Sequence, residues 1–139
     1  MAAATVADLP RHNIAFEKPP KSEPITFSTG ESGYAWELTP TERAHIAEML
    51  NVDISEVTID KNFMSHEREE CRGCGKYMGL DDMVHNAQYG GVHGTAFMLD
   101  VLQNGNKNQS PAHVIYCSRC TTQFGIIPWW MESPTNWSK

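Results

Sequence analysis

The sequence predicts an α+β fold: a small zinc-ribbon-like domain with an extended N-terminal arm and an apolar C-terminal tail. Three observations carry this. All four cysteines fall into two Cys-x-x-Cys units, separated by an insertion. One segment, Leu38–Glu42, holds a complete set of helix-start signals, and short β-rich stretches lie on both sides of it. The aliphatic supply is thin: Ile, Leu, Val and Phe number 26 of 139 residues, about 19%. A core that small gains from a metal or a partner. Four Trp, four Tyr and seven Met at a net charge of −6 are too many large apolar groups for a wholly disordered chain.

Residues 1–37 read as the arm. Pro10, Pro19, Pro20 and Pro24 remove amide donors and bias their neighbours away from helix. One short strand is expected at Ile25-Thr26-Phe27. Ile14, Phe16, Tyr34 and Trp36 give the arm apolar groups to bury, against its own domain or another subunit.

Residues 38–124 read as the metal-stapled α+β core. Thr39 suits the N-cap, Pro40 the first helical position, and Glu42 the third, which completes a capping box. Ala44, Ile46, Ala47 and Leu50 continue with helical spacing, and the helix should end near Asn51. Val57-Thr58-Ile59 reads as a strand. A second helix is expected from Asp81 or Asp82 to about Gln88, stopped by Gly90-Gly91, with the two aspartates complementing its macrodipole. The run Thr95–Leu102 is ambiguous between helix and strand. Asn104-Gly105-Asn106 is a turn signal, and a hairpin into His113–Tyr116 is the preferred reading. Glu67-Arg68-Glu69-Glu70 reads as a solvated charge run.

Charge excludes some function classes. Residues 1–70 hold 6 Lys/Arg against 13 Asp/Glu, a net of −7, and residues 71–139 hold 5 against 4, a net of +1. Neither half can supply the phosphate neutralisation that nucleic-acid binding requires, nor attraction to an anionic membrane. No run of 18 apolar residues exists, and the first residues lack the basic-then-apolar pattern of a secretory signal. The expectation is a cytoplasmic protein with reduced thiols.

The cysteines carry the specific chemistry. Cys71-Arg-Gly-Cys74 and Cys117-Ser-Arg-Cys120 each let two thiolates converge on one ion while intervening amides turn toward sulfur. Four thiolates match the tetrahedral preference of zinc, so Cys71, Cys74, Cys117 and Cys120 are the expected ligands of one structural Zn2+. The same set can hold iron, and disulfides or a redox pair are the remaining readings. A closed four-thiolate site leaves no open position for catalysis. The 42 residues between the pairs (75–116) exceed a compact two-knuckle module, so the metal would close a long loop. His66, His85, His93 and His113 lie near or between the pairs. Each is most simply an ordinary polar residue, although His85, His93 and His113 are the candidates for a second, catalytic metal site.

Residues 125–139 form the Trp-rich tail. Termini are usually polar and frayed, whereas this one carries Trp129, Trp130, Met131 and Trp137. Trp and Met are enriched where surfaces meet, so these four residues are the expected partner interface; folding back onto the chain's own core is the equal alternative, and a small-molecule pocket the remaining one.

In size, acidic character and the layout of Cys71, Cys74, Cys117 and Cys120, the chain resembles the small zinc-binding subunit of acetone/acetophenone-type carboxylases. The resemblance spans residues 66–124 in layout and carries over only the four cysteines. It implies a cytoplasmic hetero-oligomer, a carboxylase (ligase), in which larger subunits bind ATP and ketone and this chain is accessory and non-catalytic. Two other readings stay open: a stand-alone metalloenzyme using His85, His93 or His113, and a zinc-ribbon adaptor, against which the acidic charge counts.

Overall fold

The computed structural model describes residues 9–27, 30–89, 94–105 and 112–131. Its elements are strands β1 (Glu23–Thr26) and β2 (Ser32–Glu37), helix α1 (Pro40–Leu50), a 3-10 turn at Ile54–Glu56, strand β3 (Lys61–Met64), and helices α2 (Leu80–Tyr89) and α3 (Thr95–Asn104). The three strands form one antiparallel sheet in the order β1-β2-β3. Helices and this small sheet together make the architecture α+β.

Residues 23–26 and 32–37, inside the expected arm, are therefore strands of the sheet. β2 sits at its centre, with Ile25 opposite Gly33 on one side and Trp36 opposite Asn62 on the other. Trp36 is fully buried, its indole N–H donating to the carbonyl of His66 (3.0 Å), with the Arg68 guanidinium over its ring. Ahead of the sheet, residues 9–19 form a strap without regular secondary structure, pinned at Ile14.

Helix α1 starts as its sequence dictates. The Thr39 hydroxyl accepts from the Glu42 amide (3.1 Å) and the Glu42 carboxylate accepts from the Thr39 amide. Asn51 ends the helix in the left-handed region at φ 57°. The buried face is Glu42, His45, Ile46, Ala47, Met49 and Leu50; Ala44 faces solvent, so the apolar stripe lies one position further round than expected.

Three expectations shift. Val57-Thr58-Ile59 is not a strand. Val57 is buried among the helices and the Ile59 amide donates to Leu102 O (3.0 Å), so the ladder begins at Lys61 instead. Thr95–Leu102 is helix α3, because Met98, Val101 and Leu102, spaced i, i+3, i+4, bury one face. The hairpin with 113–116 therefore fails. Residues 113–117 find an antiparallel partner in the chain that follows them: Cys117 N donates to Thr122 O, Phe124 N to Ile115 O and His113 N to Pro128 O. The helix ends at Gly105 (φ 87°), whose amide donates to Val101 O; Asn106 lies outside the described residues, as do Gly90 and Gly91.

The run Glu67–Glu70 is only half solvated. Glu67 and Glu70 are exposed, but the Arg68 side chain is 4% exposed and pairs with Glu42 at 2.8 Å. The Glu69 carboxylate accepts from the amides of Gly125 (2.9 Å) and Ile126 (2.8 Å).

The tail, as far as Met131, packs on the chain's own sheet. Ser65 N donates to Trp129 O, Trp130 bridges Met64, and Met131 N donates to Phe63 O (2.8 Å). Met131 is 2% exposed and packs with Ala35 and Phe63. Gly33 leaves room for it, since a Cβ there would lie 2.6 Å from the Met131 sulfur. Trp129 and Trp130 are half-buried; Trp137 lies outside the described residues. No helix among the described residues is long and apolar enough to cross a membrane.

Candidate metal centre

The four cysteines meet at the tips of two small hairpins with one backbone pattern. In the first, Glu70 bridges Tyr77; in the second, Tyr116 bridges Gln123. Cys71 N donates to Lys76 O (2.8 Å) and Gly75 N to Cys71 O (2.9 Å). Cys117 N donates to Thr122 O (2.9 Å) and Thr121 N to Cys117 O (2.7 Å). The residue four after each leading cysteine is in the left-handed region: Gly75 at φ 86° and Thr121 at φ 66°. Glycine adopts this freely; Thr121 is held there by burial and by its hydroxyl on Cys120 O (2.6 Å). In each loop the amide two residues on donates to the leading sulfur, Gly73 N to Cys71 Sγ (3.3 Å) and Arg119 N to Cys117 Sγ (3.4 Å).

The two tips face each other. Cys71 Sγ lies 3.5 Å from Cys120 Sγ, and Cys74 Sγ 3.6 Å from Cys117 Sγ, and all four sulfurs fall within 4.8 Å of one another. All four cysteines are free thiols. Tetrahedral zinc with bonds of about 2.3 Å places its sulfurs about 3.8 Å apart, so the cluster fits one such ion closely. Amides aimed at sulfur suit thiolates rather than thiols. Four clustered cysteines can thus hold a single metal ion. Gly73 permits the approach: a Cβ there would strike the Thr122 hydroxyl and come within 3.0 Å of Cys120 Sγ.

Burial pushes the Cys74 thiol up, and burial together with the Asp82 charge does the same for Cys117. At Cys120 burial also opposes ionisation, but the hydroxyl and amide of Thr122, helped by the neighbouring sulfurs, outweigh it and draw the thiol down to about 7. Without a cation the Cys74 and Cys117 sulfurs stay protonated; an ion would displace those protons.

Behind the cysteines lies a buried polar network that sequence patterns did not reveal. Asp81 and Asp82, expected as helix-start charges, do occupy the first turn of α2, yet both are fully buried. Lys76 Nζ bridges them at 3.1 Å and 2.9 Å. Burial disfavours the Lys76 charge, but the two carboxylates overcome this and hold its proton more tightly than usual. Burial also works against the charge of Asp81, and Lys76 and His45 prevail, bringing it down to about 2. His45 Nδ1 meets Asp81 Oδ2 at 2.9 Å, and His45 Nε2 meets His12 Nδ1 at 2.8 Å. Lys76 alone carried a usable signal, as a lysine close behind the first cysteine pair.

Among the described residues, His85 and His113 do not come together. His85 is buried in α2, its Nε2 donating to Pro10 O (2.7 Å), and its ring neighbours are His12 and Tyr89. His113 is exposed, His66 bonds to Ser65 Oγ beside Trp129, and His93 lies outside the described residues.

Neither the curated proteins nor the solved structures contain a match to this sequence. A family model does match, over residues 14–138, which takes in the sheet, the helices and both cysteine loops. The chain belongs to that family, a domain of unknown function designated DUF8243.

Proposed function

We propose that this protein is a zinc-stapled accessory protein, with one structural Zn2+ on Cys71, Cys74, Cys117 and Cys120. The observation that carries this is the closed set of four sulfurs within 4.8 Å, at the tips of two matching loops. Four protein ligands satisfy zinc and leave no position for water or substrate, so the ion's role is to hold the fold. It would tie the first hairpin, joined to α2, to the second, whose chain continues into the tail and onto β3. Bound there, the ion supplies folding free energy and no chemistry of its own.

The accessory role extends this reading. Half-buried Trp129 and Trp130, with Trp137 further along the chain, are the residues for contacting a larger subunit. The carboxylase resemblance names one class of host, with ATP and ketone sites in the partner. A native pull-down through this chain, with mass and metal content read on the same eluate, tests both parts. Large partners with one zinc per copy are expected. A metal-free chain rejects the zinc reading, iron replaces it, and a zinc-loaded monomer rejects the accessory role.

A further inference from the structure

Helix α2 grips the second cysteine loop on both sides of Cys117. One helical turn apart on the same face, Asp82 and Asn86 take its two neighbours. The Asp82 carboxylate accepts from Ser118 N (2.9 Å) and from Ser118 Oγ (2.7 Å) through one oxygen. The Asn86 amide pairs with both backbone groups of Tyr116, accepting from its N–H (2.9 Å) and donating to its carbonyl (2.7 Å). The other Asp82 oxygen holds the first loop, accepting from Lys76 Nζ (2.9 Å) and Gly79 N (2.8 Å). Asp82 is fully buried, with four donors on two oxygens. One side chain thus spans the two loops that carry the four sulfurs.

We propose that Asp82 and Asn86 are the positioning residues of the metal centre: a clamp that fixes Cys117 opposite Cys74 before an ion arrives and sets how slowly the ion leaves. Neither touches a sulfur. Outer-shell groups that orient ligands typically change metal affinity by roughly 10- to 100-fold. The clamp acts on the loop backbone, so losing it lets Cys117 swing away without removing a ligand. Its sequence signature is an Asp-x-x-x-Asn spacing at the start of the helix that follows the first cysteine pair.

The inference rests on the metal reading above, and the test separates the two. Full-length protein is loaded with Zn2+ and its release to excess chromophoric chelator is timed for wild type, Asp82→Ala, Asp82→Asn and Asn86→Ala. A control, Val101→Ala in α3, loses stability in the core with all clamp contacts intact. We expect Asp82→Ala and Asn86→Ala to release zinc roughly 10- to 100-fold faster. Asp82→Asn, which still offers Ser118 an oxygen, should fall between them and wild type. Val101→Ala should release at the wild-type rate. Ser118→Ala, which removes one hydroxyl and no backbone bond, is the milder probe should Asp82→Ala fail to fold, and it too should release zinc faster. Clamp variants that release zinc no faster than Val101→Ala, or Ser118→Ala at the wild-type rate, would overturn the clamp while leaving the metal site standing. Wild-type protein that takes up no zinc would sink both.

Discussion

Truncating Met131 to alanine discriminates between a tail that completes the fold and one that waits for a partner. The side chain is 2% exposed, in a small cluster with Ala35 and Phe63, and Gly33 is shaped around its sulfur. Met→Ala in a core costs about 2–5 kcal/mol, the higher values arising where surroundings cannot collapse. A three-residue cluster at the sheet surface can close in partly, which puts Met131→Ala at about 2–3 kcal/mol. Unfolding entropy for 139 residues is roughly 0.29 kcal/mol/K, so Tm should fall by about 7–10 °C. The assay is a thermal melt followed by circular dichroism, with zinc content measured on the same sample. Zinc should remain, because Met131 lies on the sheet and the cysteines do not. A loss below about 0.5 kcal/mol, within the range of ordinary surface substitutions, would refute the packing of residues 129–131 on β3 and return Met131 to the interface role.

Other outcomes follow from the same contacts. Cys74→Ser, or chelation of the wild type, should remove folding free energy on the order of 10 kcal/mol, comparable with a whole domain's stability; a Cys74→Ser chain that keeps its metal and its Tm contradicts the ligand assignment. Gly73→Ala forces the loops apart and should weaken zinc binding at least tenfold in a competition titration, whereas Gly75→Ala, whose Cβ would meet Glu70 and Phe16 only at ordinary van der Waals distance, should cost about 1 kcal/mol of backbone strain and spare the metal. Burial lowers the pKa of His12, through His45 as well, and of His85, so each binds its proton less tightly folded than unfolded. Their contribution is whole above about pH 6.5 and declines as pH falls below it. The histidines should therefore pull urea midpoints down between pH 7.5 and 5.5, against buried Glu42, whose pKa of about 7 pulls the other way, and the downward pull should be weaker in His12→Gln; identical pH profiles in the two proteins would rule out His12 as a contributor.

Local signals were legible where the backbone needs only its near neighbours. The capping box of Thr39 and Glu42 fixed the start of α1, and the two Cys-x-x-Cys units marked the four sulfurs that converge. Thr95–Leu102 was not legible, because a short apolar run supports helix or strand and only packing against Ile59 and Val57 selects the helix. The neighbours of His85 were not legible either, for a related reason. Sequence proximity to the cysteines suggested His85, His93 and His113, whereas folding brought His85 to His12, which lies 73 residues away.

By itself the sequence determined which four cysteines cluster and where α1 starts. Each depends on residue type and short spacing, which the unfolded chain already possesses. Only the tertiary structure decided what the charged residues and the tail do. Arg68 reads as part of a solvated run, and Asp81 and Asp82 as helix-start charges, until folding buries Arg68 against Glu42 and the two aspartates against Lys76. The tail's destination was decided the same way. Apolar surface is attracted to any apolar surface, and only the geometry of β3 and the gap at Gly33 chose which one Met131 covers.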